Sequence, residues 1–221
     1  MTAAKKKTRK RSEAPRLSRD DWLDAAFMAV VEGGFDSARV LVLAQRLGVT
    51  RGSFYWHFAD HAELITALLQ RWQNREIELD KSMQLQSHPD PAVDLENVLE
   101  IALAHAGPKL ENMVFELAMR ALARKDPSVA EILVKVDDAR MALFEEKFLR
   151  LTGDPLKAME LAGLFYLAIV GGNQALSRPT TPPRVKQFVK GVIADYVIRK
   201  QVPATAPAKP SAPKKRAGKG V

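Results

Sequence analysis

Apolar residues recur at helical spacing through nearly all of this 221-residue chain, and no segment shows the strict alternation of a half-buried strand. Ser18 followed by Asp21 makes an N-cap with an acid three residues on, so a helix opens near Arg19. Leu23, Phe27, Val30 and Val31 share one side of it, Asp21, Asp24 and Glu32 the other, and "GG" at 33–34 stops it. A short helix from about Arg39 to Leu47 turns Val40, Leu43, Ala44 and Leu47 inward. Gly48 ends it, and Thr50 caps a third helix through Phe58. "DHAE" at 60–63 is a second capping box, opening a long helix to about Met83. Pro and Gly signals divide the remainder: "HPDP" at 88–91 precedes a helix to about Ala106, and "GP" at 107–108 one to about Lys125. "DPS" at 126–128 opens a helix ending before Gly153, "GDP" at 153–155 opens the most apolar one, and "RPTTPP" at 178–183 precedes the last, 184–200. The reading is all-α, about nine helices.

The apolar stretch "LAGLFYLAIVGG", Leu161 to Gly172, is shorter than the roughly 20 residues of a membrane span, so a buried helix and no membrane partner are expected. With no cysteine, disulfides and thiolate metal sites are excluded. No apolar signal core follows the basic N-terminus, so the expected location is cytoplasmic. The formal charge of +8 is concentrated at the ends. Residues 1–19 carry +7 and residues 203–221 carry +5, which leaves −4 for 20–202. Basic arms on an acidic globule suit a polyanion, DNA foremost, against the alternative of solubilising tails. Four parts are expected: a disordered arm at 1–16, a DNA-binding module at 17–77, a helical dimerisation and ligand-binding domain at 78–202, and a disordered Ala/Pro/Lys tail at 203–221.

Within the module, two short helices joined by "GVT" make a helix-turn-helix over about 39–58. Its second helix enters the major groove N-terminus first, which aims Thr50, Arg51, Gly52 and Ser53 at the bases. Arg51 can donate twice to guanine, and Gly52 lets the backbone approach the duplex. Phe54 and Phe58, four residues apart, suit the small core beneath. Tyr55, Trp56 and His57 lie on other faces, where they can hold backbone phosphates. A helix this short buries about half its surface, so one or two rings should face outward.

The stretch "FDSARVLVLAQRLGVTRGSFYWHFADHAELITALL" resembles the DNA-binding module of the TetR family of bacterial transcriptional regulators. Gly34-Phe35, Ala44, Leu47-Gly48-Val49, Gly52, Tyr55, His57-Phe58 and Leu64 carry the likeness. It implies that Tyr55 contacts phosphate, that Arg51, Ser53 and Trp56 face the groove, and that a C-terminal all-α domain dimerises and, as often in the family, binds a small ligand. A small hydrophobic ligand that releases the DNA is the expected partner. Arg39 and His61 complete the expected DNA-binding set. His61 stands where many members carry Lys or Arg, which weakens that phosphate contact or makes it depend on pH. Leu41 and Val42 stand where polar residues are commoner, unexplained unless they pack on the fourth helix.

The expected dimer surface is the last helix pair: Leu161, Leu164, Phe165, Ala168, Gly171 and Gly172, with Phe188 and Val192, and with Val197 and Ile198 beyond. Candidate ligand contacts are His105, Asn112, Glu116, Arg120, Tyr166 and Asn173, although Glu116 and Arg120 are most simply an intrahelical ion pair. Met113, Phe115, Met119, Met141, Phe144 and Phe165 could line a cavity but at helical spacing suit ordinary core. Asp137-Asp138 and Glu145-Glu146 read as solvated carboxylates. No metal, cofactor or catalytic constellation is visible; His57 and His61 are separated by a helix break at Ala59-Asp60. The reading is a homodimeric repressor on a palindromic DNA operator and not an enzyme; the alternative is a nucleoid-type or scaffold protein gripping DNA through its basic tails.

Overall fold

A computed structural model describes residues 17–103, 108–176 and 181–202. The basic arm at 1–16, the tail at 203–221 and His105 lie outside the described residues. Among the described residues the architecture is helical, with nine α-helices and no strand. They are α1 (Arg19–Gly33), α2 (Val40–Arg46), α3 (Arg51–Phe54), α4 (His61–Leu85), α5 (Pro91–Ala102), α6 (Pro108–Ala123), α7 (Pro127–Thr152), α8 (Pro155–Leu176) and α9 (Pro183–Ile193).

The local signals act as their chemistry requires. Ser18 and Asp21 form a reciprocal capping box on α1. Asp60 caps α4 through Glu63 N, but the Glu63 carboxylate reaches back to Ala59 N at 2.7 Å, so the box at 60–63 is half formed. Asp90 and Asp126 each accept backbone N–H bonds beside a first-turn proline. Gly153 ends α7 at φ 69°, a left-handed cap where a side chain would be strained.

Three expectations need correction. The third helix spans only Arg51–Phe54, and the chain continues to Phe58 in turns closed by His57 N and Phe58 N on Phe54 O. Thr50 holds the N-cap position, yet its side chain accepts no cap bond. The last helix does not run unbroken to 200: after Ile193 it widens into a π-helical stretch, Ala194–Ile198, and then tightens into a 3₁₀ turn, Arg199–Gln201. The wider turn lets Ala194, Val197 and Ile198 all bury.

Two hydrophobic clusters organise the molecule, and their boundary does not fall near residue 77. The first joins α1–α4 to Phe115 and Met119 of α6 and to Val129, Leu133 and Val136 of α7. Phe115 stacks on Phe27 at 4.9 Å and touches Phe35 and Trp72. The second cluster joins α5, the C-terminal half of α7, α8 and α9. Only one side of α8 enters it, through Ala158, Ala162, Phe165 and Ile169. By length and hydropathy α8 meets the requirement for a membrane span. It is not the buried helix expected, because Leu156, Met159, Leu164 and Leu167 form an exposed apolar face.

Candidate nucleic-acid interface and interior cavity

The recognition segment is fixed from below and open above. Phe54 and Phe58 are buried and stack at 5.4 Å, and the buried Trp22 meets Phe54 edge-on at 5.3 Å. Arg19 lies over the Phe58 ring and pairs with Glu63. With these two rings anchored, helical rotation turns their neighbours outward: Tyr55 is 50% and Trp56 82% exposed. Thr50, Gly52, Ser53, Trp56 and His57 line one shallow depression with Leu17. A Cβ added at Gly52 would meet only Thr50 Oγ1, at 3.7 Å. The protein's own packing therefore does not require glycine there. In the turn before α3, Gly48 has φ 67°, which other residues adopt only with strain.

Charge is distributed unevenly across this surface. Of the three arginines in residues 20–60, Arg46 pairs with Glu32, whereas Arg39 and Arg51 form no ion pair among the described residues. Arg51 Nη2 instead donates to Tyr55 Oη at 3.0 Å. His61 Nε2 lies 2.8 Å from Ala38 O, so one ring nitrogen is engaged within the protein. Leu41 and Val42 are exposed, and nothing in the structure explains them.

The second site is a cavity of about 560 Å³ between α4, α5, α6, α7 and α8. Of the ligand candidates, Asn112, Glu116, Tyr166 and Asn173 line it, and Arg120 stands behind Glu116 and Tyr166. Met113 and Phe144 are also in its wall, while Phe115, Met119 and Phe165 are core. The sequence reading missed Glu76 and Asp80 of α4 and Arg140 of α7. Their signal was present: Glu76 and Asp80 continue the stripe of Leu69 and Trp72 at helical spacing, where a buried acid needs a partner. Asp137 is corrected as well, since it is no solvated carboxylate but accepts a two-pronged bond from Arg120 at 2.8 and 3.1 Å.

The buried charges form a chain. Arg140 donates to Glu76 at 2.7 Å and to Glu116 at 2.9 and 3.0 Å, and Arg120 bridges Glu116, Asp137 and Tyr166. Burial opposes ionisation of Glu116, yet Arg140 and Arg120 hold its carboxyl below the usual range. Burial pushes the Tyr166 phenol up, reinforced by the nearby Asp137 carboxylate and opposed by Arg120. Asp80 differs from its neighbours. Burial raises its carboxyl to about 7, opposed by Arg140 and reinforced by Glu76 and Glu116. A separate cluster, Lys147 with Asp94, Ser87 and Met83 O, has every bond satisfied and ties α4, α5 and α7 together. No group of residues suited to a metal ion occurs among the described residues.

On the helix pair α8–α9, Leu164, Leu167, Phe188 and Val192 are exposed, and an added Cβ at Gly163, Gly171 or Gly191 would meet nothing within 4 Å. Leu161 and Ala168 are partly buried against the second core. Four residues expected on a dimer surface face inward instead. Phe165, Val197 and Ile198 are buried in the second cluster, and a Cβ at Gly172 would meet Leu103 at 3.2 Å.

The sequence profile described as "Bacterial regulatory proteins, tetR family" matches residues 23–68, which run from α1 into α4. The HTH-type transcriptional regulator AcrR of Shigella flexneri is 30% identical over 147 residues, 65% of this chain and 65% of its own length. The chain thus aligns with about two-thirds of that relative. A transcriptional regulator from Rhodococcus sp. Rha1 shares the fold with a TM-score of 0.68 at 20% identity, over 83% of this chain and 97% of its own. A protein described as a transcriptional regulator from Saccharomonospora viridis, solved in complex with choline, matches with a TM-score of 0.68 at 15% identity, over 81% and 94% of the two chains.

Proposed function

We infer that this chain, which belongs to the tetR family of bacterial regulatory proteins, is a cytoplasmic DNA-binding repressor that acts as a homodimer on a palindromic operator. The observation that carries this reading is the recognition segment: buried Phe54 and Phe58 hold a short helix whose N-terminal residues Thr50, Arg51, Gly52 and Ser53 border open surface. Arg51 reads a base edge, while Tyr55, Trp56, His57, Arg39 and the free nitrogen of His61 hold phosphates. Gly52 serves the approach of the duplex, consistent with the space around it.

Two copies meet through the exposed apolar face of α8 and α9, Leu164, Leu167, Phe188 and Val192, with Gly171 admitting a close backbone. Pairing these helices as a four-helix bundle sets the two recognition helices one duplex turn apart, about 34–36 Å. An effector in the cavity shifts that spacing through α4 and α6, each of which has one part in the cavity wall and another in the first core. The choline complex of a protein with this fold supports a small-molecule effector. The effector needs about a 10⁴-fold preference for one state to swing the balance from 1:99 to 99:1.

Selection of bound sequences from random duplex DNA by the full chain tests the reading. A palindrome with half-sites one turn apart is expected. Binding without sequence preference, lost on removal of residues 1–16 and 203–221, would instead support a nucleoid-type protein gripping DNA through its basic tails.

A further inference from the structure

The buried charges around the cavity do not balance. With Asp80 ionised, Glu76, Asp80, Glu116 and Asp137 carry four negative charges, and Arg120 and Arg140 supply two positive ones. Arg75 and Glu78 at the exposed edge of the cavity are one of each sign and leave the difference unchanged. Arg140 donates to Glu76 and Glu116, and Arg120 to Glu116, Asp137 and Tyr166; among the described residues neither guanidinium donates to Asp80. Asp80, only 7% exposed, makes no hydrogen bond among the described residues, and its Oδ2 is buried without a partner.

Two more orphans line the same cavity: Asn112 Oδ1 and Asn173 Oδ1. The first is fixed as an acceptor, because Asn112 Nδ2 donates to Glu76 at 2.8 Å. A buried acceptor without a donor leaves its desolvation uncompensated, the more so when charged, so three beside one cavity mark donors that the described residues do not supply. The rest of the wall is apolar: Leu79, Met83, Val98, Ile101, Phe144 and Ile169. The volume of about 560 Å³ lies within the roughly 300–1,000 Å³ of small-molecule sites. An anion meets net negative charge here. A bare inorganic cation leaves the apolar wall unfilled. A neutral donor satisfies hydrogen bonds and leaves the charge uncompensated.

We propose that this cavity binds an amphiphilic ammonium, an N–H-bearing organic cation on an apolar body, with Asp80 as its counterion and Asn112 and Asn173 as further acceptors. This deepens the reading of the cavity as an effector site by naming the ligand class. The N–H requirement separates it from a quaternary ammonium, which carries charge but nothing to donate.

The test is calorimetric titration of the full chain, without DNA, at pH 7.5. The probes are biphenylmethylamine, tryptamine and dodecylamine, each with its alcohol and its trimethylammonium analogue. At least one amine should bind about tenfold or more tightly than both analogues. Asp80→Asn should remove that advantage and leave the alcohol's affinity unchanged. Asn173→Ala, which breaks no existing bond, should weaken the amine several-fold while the fold is retained. Titrations at pH 6.5 in buffers of different ionisation heat should show proton release, as the incoming cation draws Asp80 into its charged form. Equal binding of amine and alcohol, an undiminished amine affinity in both variants, or no binding by any amine overturns the proposal. Because the titration contains no DNA, its failure leaves the operator reading standing. Amine binding without any change in DNA affinity would sink the effector role and keep the ligand assignment.

Discussion

Arg51 and Tyr55 stand one helical turn apart and already touch, guanidinium to phenol oxygen at 3.0 Å. The pair predicts a graded result on DNA. Arg51→Ala should cost about 1–3 kcal/mol and relax preference at one base pair. Tyr55→Phe should weaken binding chiefly by losing a phosphate bond, a loss common to all sequences, with only a slight added broadening at the Arg51 position, because the phenol oxygen no longer steadies the guanidinium. Sequence selection with both variants checks this, and unchanged preferences in Arg51→Ala would remove the base-reading role. Asp80 predicts a pH effect on stability. The unfolded carboxyl titrates near 3.8 and the folded one at about 7, so the folded state holds the proton more tightly. Its destabilising contribution is absent below about 4, grows as pH rises towards 7, and is complete above that, reaching as much as about 4 kcal/mol. Glu116 and Asp94 act oppositely and in a lower window, because their depressed values withdraw stability only on acidification below about 4.5. Urea unfolding at pH 5 and pH 8 should show Asp80→Asn gaining stability over the parent mainly at pH 8.

At the scale of elements, α6 joins the two sites. One side places Asn112, Met113 and Glu116 in the cavity wall, and the other sets Phe115 and Met119 against α1 and α4. Phe115 sits among Phe27, Phe35 and Trp72, and its truncation leaves a void that three rings cannot close. Phe115→Ala should therefore cost about 3–5 kcal/mol. Phe115→Leu should cost less but loosen the link between cavity and recognition segment. Urea unfolding gives the first quantity; the change in operator affinity on adding a bound amine gives the second. An unaltered response in Phe115→Leu would put the coupling on α4 alone.

For the whole molecule, the sharpest contrast lies on α8, where neighbouring residues face opposite ways. Leu164 is 53% exposed and Phe165 is 0% exposed. Leu164→Glu, or Phe188→Glu at a position 69% exposed, should yield a folded, soluble monomer in sedimentation velocity. Phe165→Glu should fail to fold, because it places an unpaired charge in the second core. Loss of folding in Leu164→Glu and Phe188→Glu, or a monomeric parent protein, would remove the dimer.

Features set within a few residues were legible in the sequence. Ser18–Asp21, Asp126–Pro127 and Gly153 mark helix ends because a cap is satisfied or strained by its immediate neighbours. The spacing of Phe54 and Phe58 assigned those rings to the core and sent others outward for the same local reason. Where the reading failed, the deciding contact lay far along the chain. Glu76 is balanced by Arg140, 64 residues away, and Asp137 by Arg120, 17 residues away, so helical spacing could mark Glu76 as buried but could name the partner of neither acid. The side of α8 that meets its own core is chosen by α5, α7 and α9 together, since an apolar helix fits either way until its neighbours are placed. Helical period determined that this chain would be a stack of capped helices around a helix-turn-helix. Only packing decided which buried carboxylate would be left without a partner, because burial and pairing belong to the assembled helices and not to any one of them.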